Sequence, residues 1–327
     1  MKFISELVEG ERVESVFAVS EKQLKTTRAG KQFISLRLSD RTGSIDAVAW
    51  DGAEPLSGRF GKGDYIGVRA DVGSYQGSLQ LTIQTLKRLE KTREYTERFL
   101  PVTGRDVPAM ESELKSIADG IENAKVRALV TGLLADPGFM AAFREAPAAK
   151  GMHHAFSGGL LQHTLKVARL AEGIYREYLE SDPDIASMIS RDILIAGAIL
   201  HDIGKVAELT AGPGFDYTFK GRLLGHVSLG LLELKGRLDR IEGFPGDAAD
   251  LLMHMLISHH GEYEYGSPKR PKCMEAFILH YADNLDAKLQ GFFEFAEKDN
   301  TEGKFTAFNR AYERYFYKAR PDLEETE

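Results

Sequence analysis

The amino-acid sequence predicts a multidomain fold in two parts, an N-terminal all-β barrel followed by an all-α domain. Three observations carry that prediction. Five short apolar segments, often alternating in and out, fall before residue 90 and are separated by turn residues. From about residue 110 the apolar residues recur at helical spacing instead. The run Ile193–Leu200 has no polar side chain on any face, as a buried helix requires, and it ends in His201-Asp202-Ile203-Gly204-Lys205.

Composition sets the bounds. A chain of 327 residues, 43% hydrophobic and 28% charged, is long enough for two domains and a sizeable core. No apolar run approaches the roughly 20 residues of a membrane span, so no membrane partner is expected. Met1–Glu6 has no apolar signal core, which leads to the expectation of a cytoplasmic protein. The single cysteine, Cys273, excludes an intrachain disulfide framework and a cysteine-based zinc finger. A net charge of −7 argues against tight, nonspecific nucleic-acid binding by the chain as a whole. Residues 1–90, with 13 Lys/Arg against 12 Asp/Glu, are close to neutral and leave such binding open there. The acidity lies further on, partly in the tail of residues 319–327.

The expected strands are Ser15–Val19, Phe33–Leu38, Ser44–Trp50, Tyr65–Ala70 and Leu79–Ile83, with turns at Arg28–Lys31, Asp40–Gly43, Gly61–Asp64 and Tyr75–Gly77. Their number and brevity resemble an OB-fold, assigned to residues 1–90, with Asp40–Asp51 as its middle hairpin. Ile34, Leu36 and Leu38 share the interior face of the second strand, which puts Phe33, Ser35 and Arg37 outside. An outward aromatic beside an outward arginine is what a base-stacking platform needs. Phe33 covering a barrel end or docking on the second domain explains the pattern equally well. Trp50 and Tyr75 are weaker candidates, because the strand phase there is ambiguous. Lys22, Lys25, Arg28 and Lys31 cluster in the first hairpin, as phosphate contacts or as a solvated loop.

Residues 91–108 read as a connector and 109–150 as a helical lead-in, with helices over Glu111–Asp119, Glu122–Ala135 and Phe139–Glu145. Residues 151–318 form the main helical domain. His201 and Asp202 sit side by side at the end of its buried helix, a costly place unless they are paired or bound to metal. Adjacent helix positions diverge by about 100°, so the two cannot grip one small ion from the same direction. They can flank two ions, with the carboxylate bridging. His163 shares an inward stripe with Val167, Leu170 and Ile174; His226 opens a helix after Gly225; Asp283 shares a face with Ala276 and Leu279. His259 and His260 both continue the apolar face of Leu251–Ser258, and spacing does not choose between them. Any one inward histidine is more readily a hydrogen-bonded core residue. The case is collective, and this mixture of imidazole and carboxylate without thiolate suits the harder divalent ions.

These residues, in this order, resemble the ligand set of the HD-domain metal-dependent phosphohydrolases, and His201–Lys205 fits the HDIG form of their signature. The resemblance implies that His163, His201, Asp202 and Asp283 hold one ion and that Asp202, His226 and His259 hold the second. His260 is then a substrate group, a neighbour of the ligands or an additional ligand. With the barrel included, nearly the whole chain is similar to the YhaM-type 3′–5′ exoribonucleases, whose flanking sequences Met152–Leu161 and Ser258–Pro268 resemble. The Gly-Tyr-Pro signature of the cyclic-dinucleotide branch is absent after the paired histidines.

The resemblance implies two divalent ions, with Mn²⁺ ahead of Mg²⁺, Co²⁺ and Fe²⁺. It also implies hydrolysis of single-stranded RNA or DNA from the 3′ end to nucleoside 5′-monophosphates by an activated water. Catalytic roles fall to Asp202, Lys205 and His260. Lys205 would neutralise charge on the phosphoryl group, against the alternative of a cation at a helix C-terminus. Candidate substrate contacts are Phe33, Arg37, His153, His154, Lys269 and Arg270, with Lys272 beside the last two. His153 and His154 serve as well in a structural role, and the basic loop as a solvated one. His280 reads as a neighbour of the ligands and His254 as packing. Two further functions compete: a small-nucleotide phosphohydrolase whose barrel serves assembly or regulation, and a nucleic-acid-binding protein with a vestigial metal site. The barrel surface and the long last helix suit a homo-oligomer.

Overall fold

The computed structural model describes residues 1–319 except 28–29, 76, 91, 93–94, 96–98, 100–102, 151–153, 155 and 211–214, and except the side chain at 298. Five strands, β1 (Arg12–Thr26), β2 (Gln32–Asp40), β3 (Gly43–Ala49), β4 (Tyr65–Tyr75) and β5 (Ser78–Leu89), close a barrel in the order β1-β2-β3-β5-β4. The long β1 serves two partners. Arg12–Ala18 pairs with β4 and Ala18–Thr26 with β2, and an irregularity between Val19 and Glu21 marks the change. The barrel closes through the one parallel pairing among the described residues, Asp46–Ala49 against Gln80–Ile83. Phe17, Ile34, Leu36, Leu38, Ile66 and Leu81 fill the interior.

All five expected strands form, and four are longer than predicted. The second half of β1, Ser20–Thr26, carries Lys, Glu and Gln on a surface-exposed ribbon, so no buried face showed in the sequence. A short helix, Ala53–Ser57, was not expected. Lys22 donates from Nζ to the carbonyls of Ser57 and Phe60, at 2.6 and 2.5 Å, which ties β1 to the end of that helix. Lys22 is therefore a structural cation and not a phosphate contact. Arg28 lies outside the described residues.

The lead-in forms helices Val107–Asp119, Ala124–Leu134 and Pro137–Glu145. Each is capped by a side chain (Asp106, Asn123 and Asp136) that accepts from the first free backbone N–H groups. At the centre of the helical domain lies Arg191–Leu200, whose residues Ile193–Leu200 are all buried. It packs against Gly159–Ser181, Gly246–Ser258 and Met274–Lys298. The barrel touches the helical part at Lys62, whose Nζ lies 3.2 Å from Asp216 Oδ2. Phe99, from the connector, packs on Tyr65 of β4 with ring centroids 4.6 Å apart.

Candidate metal centre

Each predicted ligand is delivered by a helix end or an inward helix face. His163 lies on Gly159–Ser181 and is fully buried. His201 and Asp202 follow Leu200 and are 1% and 2% exposed. The turn behind them, at Gly204, packs backbone on backbone. A Cβ there would stand 1.9 Å from the His226 carbonyl oxygen and 2.5 Å from Gly230 N. His226 begins a new helical run after Gly225, whose φ of 70° and ψ of 160° break the helix Phe219–Leu238. His259 and His260 follow Ser258, and Asp283 lies on Met274–Lys298.

The ligand atoms fall into two groups, His163–His201–Asp283 and His226–His259–His260, each set within 4.8 Å of one another. Asp202 stands between them. Its Oδ2 is 3.5 Å from His163 Nε2 and 3.3 Å from His201 Nε2, while its Oδ1 is 3.7 Å from both His226 Nε2 and His259 Nε2. His163 Nε2 also lies 3.1 Å from Asp283 Oδ1.

The other ring nitrogens explain why every Nε2 points inward. His201, His259 and His260 donate from Nδ1 to the carbonyls of Ala198, Leu256 and Tyr265, at 2.8, 2.6 and 3.0 Å. His163 and His226 instead place Nδ1 against carboxylates, Asp286 at 2.7 Å and Glu208 at 3.2 Å. With Nδ1 occupied, the Nε2 lone pair of a neutral ring is left for a metal. Each group therefore holds one carboxylate-backed histidine.

The donor set fits divalent ions. Among the described residues Asp202 Oδ1 and His259 Nε2 are buried without a hydrogen-bond partner, a cost that a coordinated cation would remove. Burial works against the charged form of Asp202, but Lys205 and the surrounding histidines outweigh it and hold its carboxyl well below the usual range. Burial likewise opposes ionisation of Asp283, yet His163 keeps it low. Burial lowers His259 well below the ordinary histidine value and lowers His260, helped by the neighbouring His226. His163 differs: burial opposes its charge, but Asp202, Asp283 and Asp286 raise it well above the ordinary histidine value, so an ion bound there would displace its proton to reach the neutral-imidazole form that ligation needs.

Lys205 opens the short helix Lys205–Glu208 and lies 2.6 Å from Asp202 Oδ2. Among the described contacts its ammonium is engaged by the Asp202 carboxylate and not by a carbonyl at the C-terminus of Arg191–Leu200. His260 joins the second group directly, its Nε2 3.3 Å from that of His226.

The predicted substrate contacts fare differently. His154 is fully buried, donating from Nε2 to Asp286 at 2.9 Å, so it braces the centre from behind and cannot touch substrate. His153 lies outside the described residues. Phe33 is half-buried and stacks on Trp50 with centroids 4.7 Å apart. Arg37 is exposed but engaged by Asp46 at 3.2 Å and Ser44 at 3.0 Å. Lys269 is exposed, and Arg270 pairs with Glu262 at 2.8 Å. His280 donates from Nδ1 to the His259 carbonyl, and His254 accepts from Lys272 N–H. Sequence reasoning missed Asp286 and Glu208. The three-residue step from Asp283 to Asp286 was the one signal for the former.

An OB-fold barrel joined to a helical domain with two ligand groups, one of imidazoles and a carboxylate and one of three imidazoles, around one shared aspartate defines an HD-domain metal-dependent phosphohydrolase with a nucleic-acid-binding module. Family models agree: the HD domain matches residues 160–288 and the OB-fold nucleic acid binding domain residues 17–89. The 3′-5′ exoribonuclease YhaM of Geobacillus sp. is 33% identical over 94% of this chain and 92% of its own. That of Bacillus subtilis is 31% identical over 93% and 95%. A domain of replication protein A from Methanococcus maripaludis is 28% identical over 28% of this chain and 96% of its own, with a TM-score of 0.25. The chain belongs to the YhaM family of 3′–5′ exoribonucleases.

Proposed function

We infer that this protein removes nucleotides one at a time from the 3′ end of single-stranded RNA by metal-dependent hydrolysis of the terminal phosphodiester. The observation that carries the reading is Asp202, whose two oxygens face two separate ligand groups. His163, His201, Asp202 and Asp283 would hold one ion; Asp202, His226, His259 and His260 would hold the other. When bound, a pair of divalent ions supplies Lewis acidity on the phosphoryl oxygens and an acidified water at neutral pH. Mn²⁺ is the favoured metal; Mg²⁺, Co²⁺ and Fe²⁺ suit the same donors.

The chain's own residues then have distinct tasks. Asp202 fixes the spacing of the two groups. Asp286 and Glu208 hold His163 and His226 in their ligand tautomers. Lys205, its charge already within 2.6 Å of the shared carboxylate, offsets negative charge that develops on the phosphoryl group. The Phe33–Trp50 stack gives the barrel an aromatic surface on which upstream bases can rest.

The test uses a 5′-labelled RNA of about 20 nucleotides with Mn²⁺, wild type and Asp202→Asn. A ladder shortening from the 3′ end with wild type alone supports the assignment. Hydrolysis confined to mononucleotides or dinucleotides would favour a small-nucleotide phosphohydrolase and reduce the barrel to a scaffold.

A further inference from the structure

Directly after His260 the chain forms a tight loop, Gly261–Lys272, whose construction exceeds what a connection needs. Gly261 has φ +81°, and a Cβ on it would meet the His280 ring at 2.2 Å, so the loop leaves the metal centre pressed against that ring. Glu262 N–H donates to the His260 carbonyl at 3.0 Å, Tyr265 N–H to Glu262 at 3.1 Å and Gly266 N–H to Tyr263 at 2.9 Å. Ser267 is buried, its hydroxyl placed between the carbonyls of Ile257 and Lys269 at 3.2 and 2.6 Å. The loop in turn fixes the centre, because the Tyr265 carbonyl is the acceptor that holds His260 Nδ1.

This rigid turn projects two aromatic rings into solvent, Tyr263 at 56% exposed and Tyr265 at 63%. Tyr263 is also prepared on one side. The Arg270 guanidinium lies 4.9 Å from its ring centroid and is pinned there by Glu262, Nε to Oε2 2.8 Å. A ring backed by a cation on one face and open elsewhere is a stacking ledge, since every nucleobase has a π-face to offer it. Because Glu262 neutralises Arg270, the ledge carries no strong net charge and favours a base over a phosphate.

We propose that Tyr263, backed by Arg270, stacks the base of the 3′-terminal nucleotide, the one released by each cut. This rests on the exoribonuclease reading. The loop hangs from a residue of the metal centre, so the base it receives belongs to the scissile phosphate rather than to the upstream strand. In cleavage from the 3′ end, one nucleotide lies beyond that phosphate, and one ledge suffices to receive it. Any of the four bases fits, so the site confers end recognition without sequence preference.

The experiment compares wild type, Tyr263→Ala and Tyr263→Phe on two Mn²⁺-supported substrates, an RNA of about 20 nucleotides and the same RNA with an abasic 3′-terminal residue. Loss of one stacked base is expected to raise KM about tenfold in Tyr263→Ala, with kcat moving far less. Tyr263→Phe keeps the ring and restores KM. The abasic end costs wild type a similar factor and costs Tyr263→Ala nothing further. An unaltered KM in Tyr263→Ala, a failure of phenylalanine to rescue, or an abasic penalty that persists in Tyr263→Ala would each overturn the ledge while leaving the exoribonuclease reading intact. Wild-type protein that does not shorten RNA at all would overturn both.

Discussion

The Nδ1 of His163 and the Nε2 of His154 meet the same oxygen of Asp286, at 2.7 and 2.9 Å, so one buried carboxylate orients a ligand histidine and a bracing histidine together. The other oxygen of Asp286 is 3.3 Å from Lys166 Nζ. Asp286 thereby decides which nitrogen of His163 carries the proton, and leaves Nε2 to face Asp202 and Asp283.

Asp286→Asn should break that assignment while conserving volume. An amide can turn its NH₂ toward Nδ1, which moves the imidazole proton to Nε2 and removes the lone pair from the centre. Affinity for the tighter Mn²⁺ ion should fall about 10- to 100-fold, read by calorimetric titration on protein whose circular dichroism matches wild type. An unchanged affinity would remove Asp286 from the metal centre's support.

Gly204→Ala tests the backbone contact beneath the centre. The added Cβ has 1.9 Å to the carbonyl oxygen of His226, and backbone cannot turn aside as a side chain can. The turn must move away from His226, which separates Asp202 from the second group. We expect a loss of about 1–3 kcal/mol in unfolding free energy together with weakened binding of one ion out of two. A variant that unfolds like wild type in urea would show that the turn tolerates the shift.

Much of this arrangement could be read before the structure, and the reasons are physical. A helix with no polar face that ends in His201-Asp202 has to satisfy them inside, and inward phase marked His163 and Asp283. The barrel showed in the alternation of Ile34, Leu36 and Leu38. What remained hidden depends on contacts between helices. Nothing local says that Asp286 meets His163 from 123 positions away, or that Glu208 turns back to His226. His154 looked available beside Ser157-Gly158-Gly159, yet a backbone φ of +53° folds it under the centre. Arg37 and Arg270 looked like free substrate contacts until their acidic partners came into view.

The helical lead-in has its own pH signature. Arg144 Nε donates to Glu111 Oε2 at 2.6 Å and Lys115 approaches Oε1 at 2.7 Å. The hydrogen bond from Arg144 is the main reason the Glu111 carboxyl falls from 4.5 to about 2, against the opposing effect of partial burial. A depressed folded-state value means the stabilisation is complete above about pH 4.5 and is lost as pH falls towards 2. Glu111→Gln should therefore cost about 1 kcal/mol near neutrality, and the gap to wild type should narrow in urea unfolding as pH drops below about 4.5. A gap that stays constant down to about pH 3 would exclude the ion pair as its source.

The contact between barrel and helical domain runs through Asp216, and its chemistry makes a charge reversal informative. Asp216 gathers Lys62 from the barrel at 3.2 Å, Lys150 at 2.9 Å and Arg222 at 2.9 Å. The Lys150 hydrogen bond, first among these, holds its carboxyl well below the usual range. Lys62 is 65% exposed, so Lys62→Ala alone removes a screened pair worth about 0–1 kcal/mol. Asp216→Lys replaces attraction with repulsion among four cations and should drive the barrel from its seat. The segment carrying Asp216 lies between Glu208 and His226, but Glu208 holds His226 by its own bonds, to the backbone N–H at 2.9 Å and to Nδ1 at 3.2 Å. The metal centre should consequently survive the reversal. Turnover of a dinucleotide, which has no upstream bases to stack, is expected to stay within about twofold of wild type, while the advantage of an RNA of about 20 nucleotides over the dinucleotide shrinks several-fold as the barrel's stacking of upstream bases is lost. Equal loss on both substrates would place the effect of Asp216 in the metal centre itself, and no loss on either would show that the barrel holds RNA without being held in place by this carboxylate.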